Sequence, residues 1–205
     1  KPVNQVRFVT AASLFDGHDA SINIMRRILQ ASGAEVIHLG HNRSVDDVVT
    51  AAIQEDAHAI AVSSYQGGHV EYFTYMADLL RQSGRGSIKV FGGGGGVITA
   101  DEAAEMQSKG VSRVYSPSDG QGLGLQGMID DMIATADADL TEEMPSGLDG
   151  LENGEHADLA RFISALELDT LNGETRAAIA ARGDARSDVP VLGITGTGGA
   201  GKSSL

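Results

Sequence analysis

Residues 6–21 read VRFVTAASLFDGHDAS and carry the pattern from which the fold of this chain follows. The apolar, partly β-branched run at 6–12 is typical of a buried strand. A polar loop follows, and apolar residues then recur at helical spacing through residues 22–29. The stretch therefore predicts a strand, a loop and an amphipathic helix, which is the first half of a βαβ unit.

The same alternation continues to about residue 134. It predicts further strands at 36–39, 59–63, 88–91 and 111–115, and helices at 45–53 (with Ser44 as N-cap), 69–82, 100–109 and 123–134. Strands that alternate with helices in this way indicate an α/β fold. We expect a doubly wound, five-stranded parallel sheet of the flavodoxin-like kind, with ligands bound beyond the carboxyl ends of its strands.

Three segments differ in composition. Residues 1–135 hold the predicted sheet, 136–188 form an acidic linker with helices at 156–168 and 174–182, and 189–205 begin with a strand at 189–195. Between residues 130 and 190 there are 15 acidic side chains against 4 basic ones, so the negative charge is concentrated in the linker. Such charge is typical of a solvated surface. The alternative is that the linker helices dock on a neighbouring domain and relay its state.

Composition excludes several classes of function. The 205 residues contain no cysteine, so disulfides, thiolate metal sites and cysteine nucleophiles are excluded. A formal net charge of -13 disfavours a nucleic-acid partner. The chain has no apolar run of the roughly 20 residues that cross a bilayer, and its first residues lack the charged-then-apolar pattern expected of a signal peptide. We expect a cytoplasmic protein without a nucleic-acid or membrane partner.

The segment GTGGAGKS at 196–203 matches the P-loop pattern GxxxxGK[ST] and follows the predicted strand at 189–195. In such a loop, backbone N–H groups surround phosphates, the lysine adds a positive charge and the serine hydroxyl binds Mg²⁺. The sequence stops two residues later, so we expect a piece of a longer polypeptide with an incomplete P-loop domain. The predicted nucleotide-binding residues are Gly198, Gly199, Ala200, Gly201, Lys202, Ser203 and Ser204, with Ser203 also predicted to bind Mg²⁺.

His18 is the sharpest candidate for a metal ligand in the predicted domain. Asp16 lies two residues before it, and a carboxylate that accepts from one imidazole nitrogen orients the ring and raises the basicity of the other. No second cluster with ligand spacing accompanies the pair, and structural roles are expected for His38, His41, His58, His69 and His156. A single imidazole suits a metal that arrives inside a macrocycle, such as haem or a corrin. Five glycines at 92–96 would give a bulky cofactor a wall without side chains.

These features together resemble the cobalamin-binding domain of acyl-CoA mutases and methionine synthase. That family carries DxHxxG, 41 residues, SxL, roughly 27 residues and then GG. Here Asp16 and His18 match, 41 residues separate Ser21 from Ser63, and Gly93-Gly94 or Gly95-Gly96 stands at GG. Two positions depart from the pattern, because Ser21 replaces the glycine and Tyr65 the leucine. The resemblance extends over about residues 6–134.

The resemblance implies a cofactor and a set of roles. The cofactor is adenosylcobalamin, with His18 as the lower axial ligand of cobalt, Asp16 as its partner, and Ser63 as a hydrogen-bond donor to the displaced dimethylbenzimidazole. The implied cofactor-binding residues are Asp16, Gly17, His18, Asp19, Ser63, Tyr65, Gly67, Gly92, Gly93, Gly94, Gly95, Gly96 and Ser116.

With the P-loop downstream, the chain resembles the fused isobutyryl-CoA mutases, in which a GTPase chaperone domain follows the cobalamin domain. The family isomerises isobutyryl-CoA and n-butyryl-CoA by radicals. The resemblance implies GTP or GDP with Mg²⁺, an acyl-CoA substrate held by a barrel domain absent from this sequence, and a homodimer. It implies that the 205 residues alone bind the cofactor without turnover.

Three alternatives remain at this stage. One is the cobalamin domain of a methylmalonyl-CoA-type mutase, which only barrel residues would distinguish. Another is a flavodoxin-like or receiver-like signalling module with Asp16 in an acidic phosphorylation site, although no lysine stands near Ser116 as that class requires. The third, a chain that is chiefly a nucleotide hydrolase, conflicts with the short sequence after the P-loop.

Overall fold

The computed structural model describes residues 1–185, 188, 190 and 192–195. One parallel sheet has the strand order β2-β1-β3-β4-β5. The strands are β1 (Arg7–Ala12), β2 (Glu35–His38), β3 (Ala59–Ser63), β4 (Lys89–Gly93) and β5 (Arg113–Tyr115). The predicted five-stranded, doubly wound sheet is confirmed, with strand ends displaced by no more than two residues.

Helices cover both faces of the sheet. They are α1 (Ala20–Ala31), α2 (Val45–Gln54), α3 (His69–Gln82), α4 (Ala100–Ser108) and α5 (Pro117–Ala136). On one face, Leu29 of α1 and Ile129 of α5 belong to a buried cluster with Phe8 and Phe91 of the sheet. The residues of α2, α3 and α4 form the cluster on the opposite face. Two separate cores therefore hold the sheet between helical layers.

The last helix of the sheet domain differs from the prediction. It begins at Pro117, six residues before the predicted start at 123, because Ser116 and Asp119 form a reciprocal capping box ahead of it. Glycines in this stretch interrupt the apolar periodicity, so the sequence pattern does not reveal the first turns of the helix. Gly124 has a φ of 66° and a ψ of 171°, so the helix is kinked where the prediction placed its first turn.

The strand order creates a crevice between β1 and β3. These strands are neighbours, with Ala12 opposite Ser63 at their carboxyl ends. The chain leaves β1 toward α1 on one face and leaves β3 toward α3 on the other. Loops that diverge at a topological switch point leave room for a ligand between them.

The linker is helical and has its own small core. Its helices are α6 (Asp149–Asn153), α7 (His156–Glu167) and α8 (Gly173–Asp184). The last two were predicted within two residues, whereas α6 was missed because Gly150 and Gly154 suggested only turns. Leu148, Phe162, Ala165 and Leu171 pack together among these helices.

A buried ion pair attaches α7 to the sheet domain. Arg161 is 3% exposed, and its Nε lies 3.0 Å from both carboxylate oxygens of Asp56, in the turn before β3. The guanidinium also donates to the backbone carbonyls of Leu140 and Glu143. The linker therefore packs at the amino end of the sheet, opposite the crevice.

The predicted P-loop lies outside the described residues. This applies to its nucleotide-binding residues, Gly198, Gly199, Ala200, Gly201, Lys202, Ser203 and Ser204. Of the preceding predicted strand at 189–195, only 190 and 192–195 are described. Both features, and the proposed domain boundaries, stay predictions.

Candidate functional site

Asp16 ties together the two loops that flank the crevice. Its side chain is buried, and Oδ2 accepts a 2.6 Å hydrogen bond from the backbone N–H of Tyr65, beyond β3. Oδ1 accepts a 2.8 Å bond from the N–H of His18 and lies 2.9 Å from the Nδ1 of the same residue. The carboxylate thus fixes both the position of its own loop and that of the neighbouring one.

These hydrogen bonds determine the proton positions. Burial alone would raise the pKa of Asp16, but the N–H groups of Tyr65 and His18, together with the imidazole, outweigh it and hold that pKa below its ordinary value. An ionised carboxylate only accepts hydrogen bonds, so the proton of the imidazole is on Nδ1. The hydrogen bond to Asp16 therefore uses Nδ1 and leaves Nε2 as the nitrogen that can ligate a metal.

The free nitrogen of His18 belongs to an exposed ring. Its side chain is 77% exposed, and the ring centroid lies 5.8 Å from that of Tyr65, with the rings tilted by 48°. A side chain that ligates a metal arriving on the outer surface of the domain must be accessible in this way. The arrangement is an oriented imidazole at the rim of the crevice, which is what metal ligation requires.

A cavity of about 260 Å³ opens between the sheet and helices α1 and α5. By comparison, a dry cavity of roughly 150 Å³ holds benzene, so this one has room for a larger aromatic group. Its apolar side chains come from three sources, α1, the sheet and α5. They are Ile22, Ile24, Met25, Leu29, Ala61, Val62, Phe91, Leu125, Met128 and Met132.

Two serine hydroxyls in this cavity have no hydrogen-bond partner. Ser63, at the end of β3, is 7% exposed, and Ser21 lies in the first turn of α1. The Oγ atoms of both residues are buried without a partner within the chain. A buried polar group left unpaired is costly, so these atoms suit a ligand with polar groups.

The glycines at 92–96 divide into two groups. Gly92, Gly93, Gly94 and Gly95 line the cavity and Gly96 does not, and their contacts with a cofactor stay predictions. A Cβ on Gly94 would lie 1.9 Å from the carbonyl oxygen of Ser64, and one on Gly92 would lie 2.9 Å from the Phe73 ring. Close packing within the protein therefore already requires glycine at these two positions.

The other predicted cofactor residues lie around the cavity with different contacts. Tyr65 lines it, whereas Gly17 and Gly67 are outside its lining, on the adjacent loops. Asp19 is the N-cap of α1 without a side-chain hydrogen bond. The hydroxyl of Ser116 is engaged with Asp119 in the capping box of α5. Cofactor contacts for these residues stay predictions.

The sequence did not identify the apolar residues that line the cavity as part of a site. On α5, Leu125, Met128 and Met132 recur at spacings of three and four residues, which signals one helix face, but such a face more often packs in a core. Only the three-dimensional structure reveals that this face borders a void. The small residues opposite it, Ala61 and Gly93, leave that space open.

Other histidines have structural contacts. His58 Nδ1 accepts from the N–H of Arg7, and its Nε2 donates to the carbonyl of Ala138. His38 pairs with Thr10 Oγ1 at 2.9 Å, and His69 Nε2 lies 3.2 Å from a Glu102 oxygen. Within the described ranges, no three His, Cys, Asp or Glu side chains are grouped to hold a metal ion.

No helix in the described part of the chain has the length and apolar character needed to span a membrane.

A family comparison matches the B12 binding domain to residues 6–118. Among solved structures, a cobalamin-binding protein from Desulfitobacterium hafniense superposes with a TM-score of 0.54 at 20% identity, covering 64% of this chain and 60% of that one. At this identity the likeness supports the fold alone, and it agrees with the flavodoxin-like architecture.

Two curated relatives match over the whole sequence. The fused isobutyryl-CoA mutase of Cupriavidus metallidurans is 65% identical over 204 residues, and that of Nocardia farcinica is 59% identical over 205. Each alignment covers 100% of this chain and 19% of the relative. The chain therefore spans about one fifth of the length of these relatives.

Proposed function

The chain belongs to the B12-binding domain family, and from this premise we propose that it holds adenosylcobalamin as the cofactor-binding part of a fused isobutyryl-CoA mutase. In this proposal His18 Nε2 is the lower axial ligand of cobalt. The observation that carries it is the contact between the buried Asp16 carboxylate and Nδ1 of His18, which orients the exposed ring and leaves Nε2 for a metal.

The cavity beside His18 fits the part of the cofactor that the histidine would displace. A dimethylbenzimidazole base is aromatic and apolar except for its ring nitrogens, and the void offers apolar walls with two unpartnered hydroxyls. Ser63 would donate to the free ring nitrogen. The walls would exclude water from the base and hold the nucleotide tail in place.

Each residue then has a defined task. Asp16 steadies the imidazole and keeps its proton on Nδ1, His18 ligates, and the glycines after β4 line the cavity that would hold the nucleotide tail. When bound, adenosylcobalamin supplies a cobalt–carbon bond that breaks homolytically, and the protein binds and orients it. The reaction, interconversion of isobutyryl-CoA and n-butyryl-CoA, would require an acyl-CoA-binding barrel elsewhere in a longer polypeptide, with a homodimer as its assembly.

The sequence at 196–203 supports a second part of the proposal. A P-loop in a longer polypeptide would bind GTP or GDP, with Ser203 on Mg²⁺. Lys202→Ala in that polypeptide should abolish GTP hydrolysis and leave the cobalamin spectrum unchanged. Full hydrolysis by the variant would reject the nucleotide role without affecting the role of His18.

Absorption spectroscopy of the chain mixed with adenosylcobalamin tests the cofactor proposal. Wild type should give the spectrum of a cofactor whose benzimidazole is displaced and whose cobalt is bound by histidine. His18→Ala should lose that ligation, whereas His41→Ala, a change at an exposed histidine in the neighbouring loop, should not. Identical spectra for wild type and His18→Ala would reject the ligand role.

Asp16→Asn separates the two functions of the carboxylate. The amide has nearly the same shape but no charge, and its NH2 end cannot accept a hydrogen bond. It should therefore keep only one of the two loop contacts and orient and polarise His18 less well. We expect cobalamin binding weakened about 10-fold or more, in the range seen for changes to residues that support a metal ligand. Unchanged affinity would show that Asp16 acts only on loop structure.

A further inference from the structure

Ser21 stands where the sequence departs from the family pattern, and its hydroxyl is in an unusual position. The pattern DxHxxG has glycine at this place, and this chain has serine. Ser21 is one of the residues that line the cavity, and its Oγ is buried without a hydrogen-bond partner. Glycine at this position would bury no unpaired hydroxyl. The serine is therefore explained if its hydroxyl binds a ligand.

Local helix structure does not account for the hydroxyl. Serines in a first helical turn usually accept from a nearby N–H or donate to a backbone carbonyl. The N-cap of α1 is Asp19, with no side-chain capping bond, and Ser21 makes no hydrogen bond with the backbone. The hydroxyl is therefore left for whatever occupies the cavity.

The cavity has a polar and an apolar end. Ser21 and Ser63 lie toward the carboxyl ends of the strands, whereas Leu29 and Met132 line it farther along α1 and α5. At 1.5 Å per residue, Ser21 and Leu29 are about 12 Å apart along the helix. An aromatic base that contacts Ser63 and extends toward the apolar end would leave the sugar and phosphate of a nucleotide tail beside Ser21.

We propose that the Ser21 hydroxyl is a hydrogen-bonding partner of the cobalamin nucleotide tail, on its ribose–phosphate side. This inference rests on the proposed cobalamin function. A benzimidazole joined to ribose has one free ring nitrogen, which Ser63 occupies in that function. The remaining acceptors of the tail are the oxygens of the ribose and phosphate, and Ser21 serves these. The serine thereby makes the site selective for corrinoids that carry the tail.

The test compares adenosylcobalamin with adenosylcobinamide, which has the corrin and cobalt but lacks the nucleotide. Dissociation constants are measured by calorimetry for wild type, Ser21→Ala and Ser83→Ala, a serine at the exposed end of α3. Loss of one hydrogen bond should weaken adenosylcobalamin binding by Ser21→Ala about 3- to 10-fold. Binding of adenosylcobinamide should be unchanged, and Ser83→Ala should match wild type with both.

Thermal unfolding of the cofactor-free variant gives an independent readout. A hydroxyl without a partner does not stabilise the empty chain, so Ser21→Ala should melt at or above the wild-type temperature. A lower melting temperature would mean that the hydroxyl acts in the fold, and would overturn the inference.

The outcomes separate the inference from the function on which it rests. Equal adenosylcobalamin affinities for wild type and Ser21→Ala would overturn the role of Ser21, while the cofactor proposal would stand. An equal loss for both corrinoids would also overturn it, since the effect would not involve the tail. If wild type bound neither corrinoid, the proposed function itself would fail, and the inference with it.

Discussion

The two ends of the sheet differ in whether their buried polar groups have hydrogen-bond or ion-pair partners. At the amino end, the linker covers the strands, and the buried Asp56 is paired with Arg161. At the carboxyl end, a cavity of about 260 Å³ remains, and the hydroxyls of Ser21 and Ser63 are unpaired. The buried charges at the amino end are paired within the chain, whereas two buried hydroxyls at the carboxyl end are left without a partner.

This difference separates residues that serve the fold from residues that serve the site. Polar groups at the amino end should matter for stability and not for cofactor affinity. Side chains that face the cavity, such as those of Ser21 and Ala61, should matter more for affinity than for stability, whereas Gly94 should matter for the packing of the cavity wall. The following predictions test that division, from the largest expected effect to the smallest.

Arg161→Ala should have the largest effect on stability. It leaves the carboxylate of Asp56 buried without its partner, which typically costs about 3–5 kcal/mol. Chemical denaturation should detect this loss, and limited proteolysis should cut the linker faster. Arg176→Ala, which breaks an exposed ion pair with Asp169, should cost less than about 1 kcal/mol. Weakened cobalamin binding by a folded Arg161→Ala would show that the two ends are coupled.

Gly94→Ala tests the tight packing at the cavity wall. The new methyl group would lie 1.9 Å from the Ser64 carbonyl oxygen, so a loop must shift, at a cost of about 2–3 kcal/mol. Gly96→Ala is the matched control, because nothing lies within 4 Å of its Cβ position. Denaturation midpoints check both. Equal stabilities would mean that the loop is more adaptable than its contacts indicate.

Ala61→Leu should fill the cavity from the strand side. The larger side chain adds packing contacts in the void, so the free energy of unfolding should change by less than about 1.5 kcal/mol. Adenosylcobalamin affinity should fall about 10-fold or more, because the base and the leucine compete for the same space. Titration with adenosylcobinamide should give wild-type affinity. An unaffected adenosylcobalamin affinity would place the tail elsewhere.

Acidification should weaken the amino end slightly. Burial lowers the pKa of His58, whose two nitrogens contact Arg7 and Ala138, so the folded chain disfavours the protonated ring. Below the ordinary pKa of about 6.5 the unfolded chain binds more protons, and stability falls as the pH is lowered toward the folded pKa.

Melting temperatures between pH 7.5 and 5.5 check this dependence. Burial lowers the pKa of His38 as well, so its contribution has the same sign. His58→Asn should flatten part of the slope of melting temperature against pH. If His58→Asn kept the wild-type slope of melting temperature against pH, His58 would be excluded as the source of that slope.

Much of the fold follows from local sequence patterns. Apolar periodicity placed β3 and α3 to the residue, and the Ser44 cap marked α2. The start of α5 was predicted too late, because the glycines at 120, 122 and 124 weaken the helical pattern while Ser116 and Asp119 supply the cap. The capping box therefore sets the start of α5 in spite of the glycines, and a search for apolar periodicity does not detect such a cap.

The site was only partly predictable. The Asp16–His18 spacing indicated an oriented imidazole, and the structure brings these residues to 2.9 Å. The cavity could not be predicted, because a void results from small residues such as Ala61 and Gly93 facing long ones across two layers. The importance of Ser21 appeared in the sequence only as a departure from a pattern, since the lack of a hydrogen-bond partner is a three-dimensional property.

The most direct measurement of the central claim is electron paramagnetic resonance of the chain loaded with cob(II)alamin, with its histidines labelled with ¹⁵N. The unpaired electron of cobalt couples to the nitrogen that ligates it axially. If His18 is that ligand, labelling converts the triplet splitting of ¹⁴N into a doublet, and His18→Ala abolishes the doublet. A triplet that persists after labelling would contradict the account, because benzimidazole would then still be bound to cobalt.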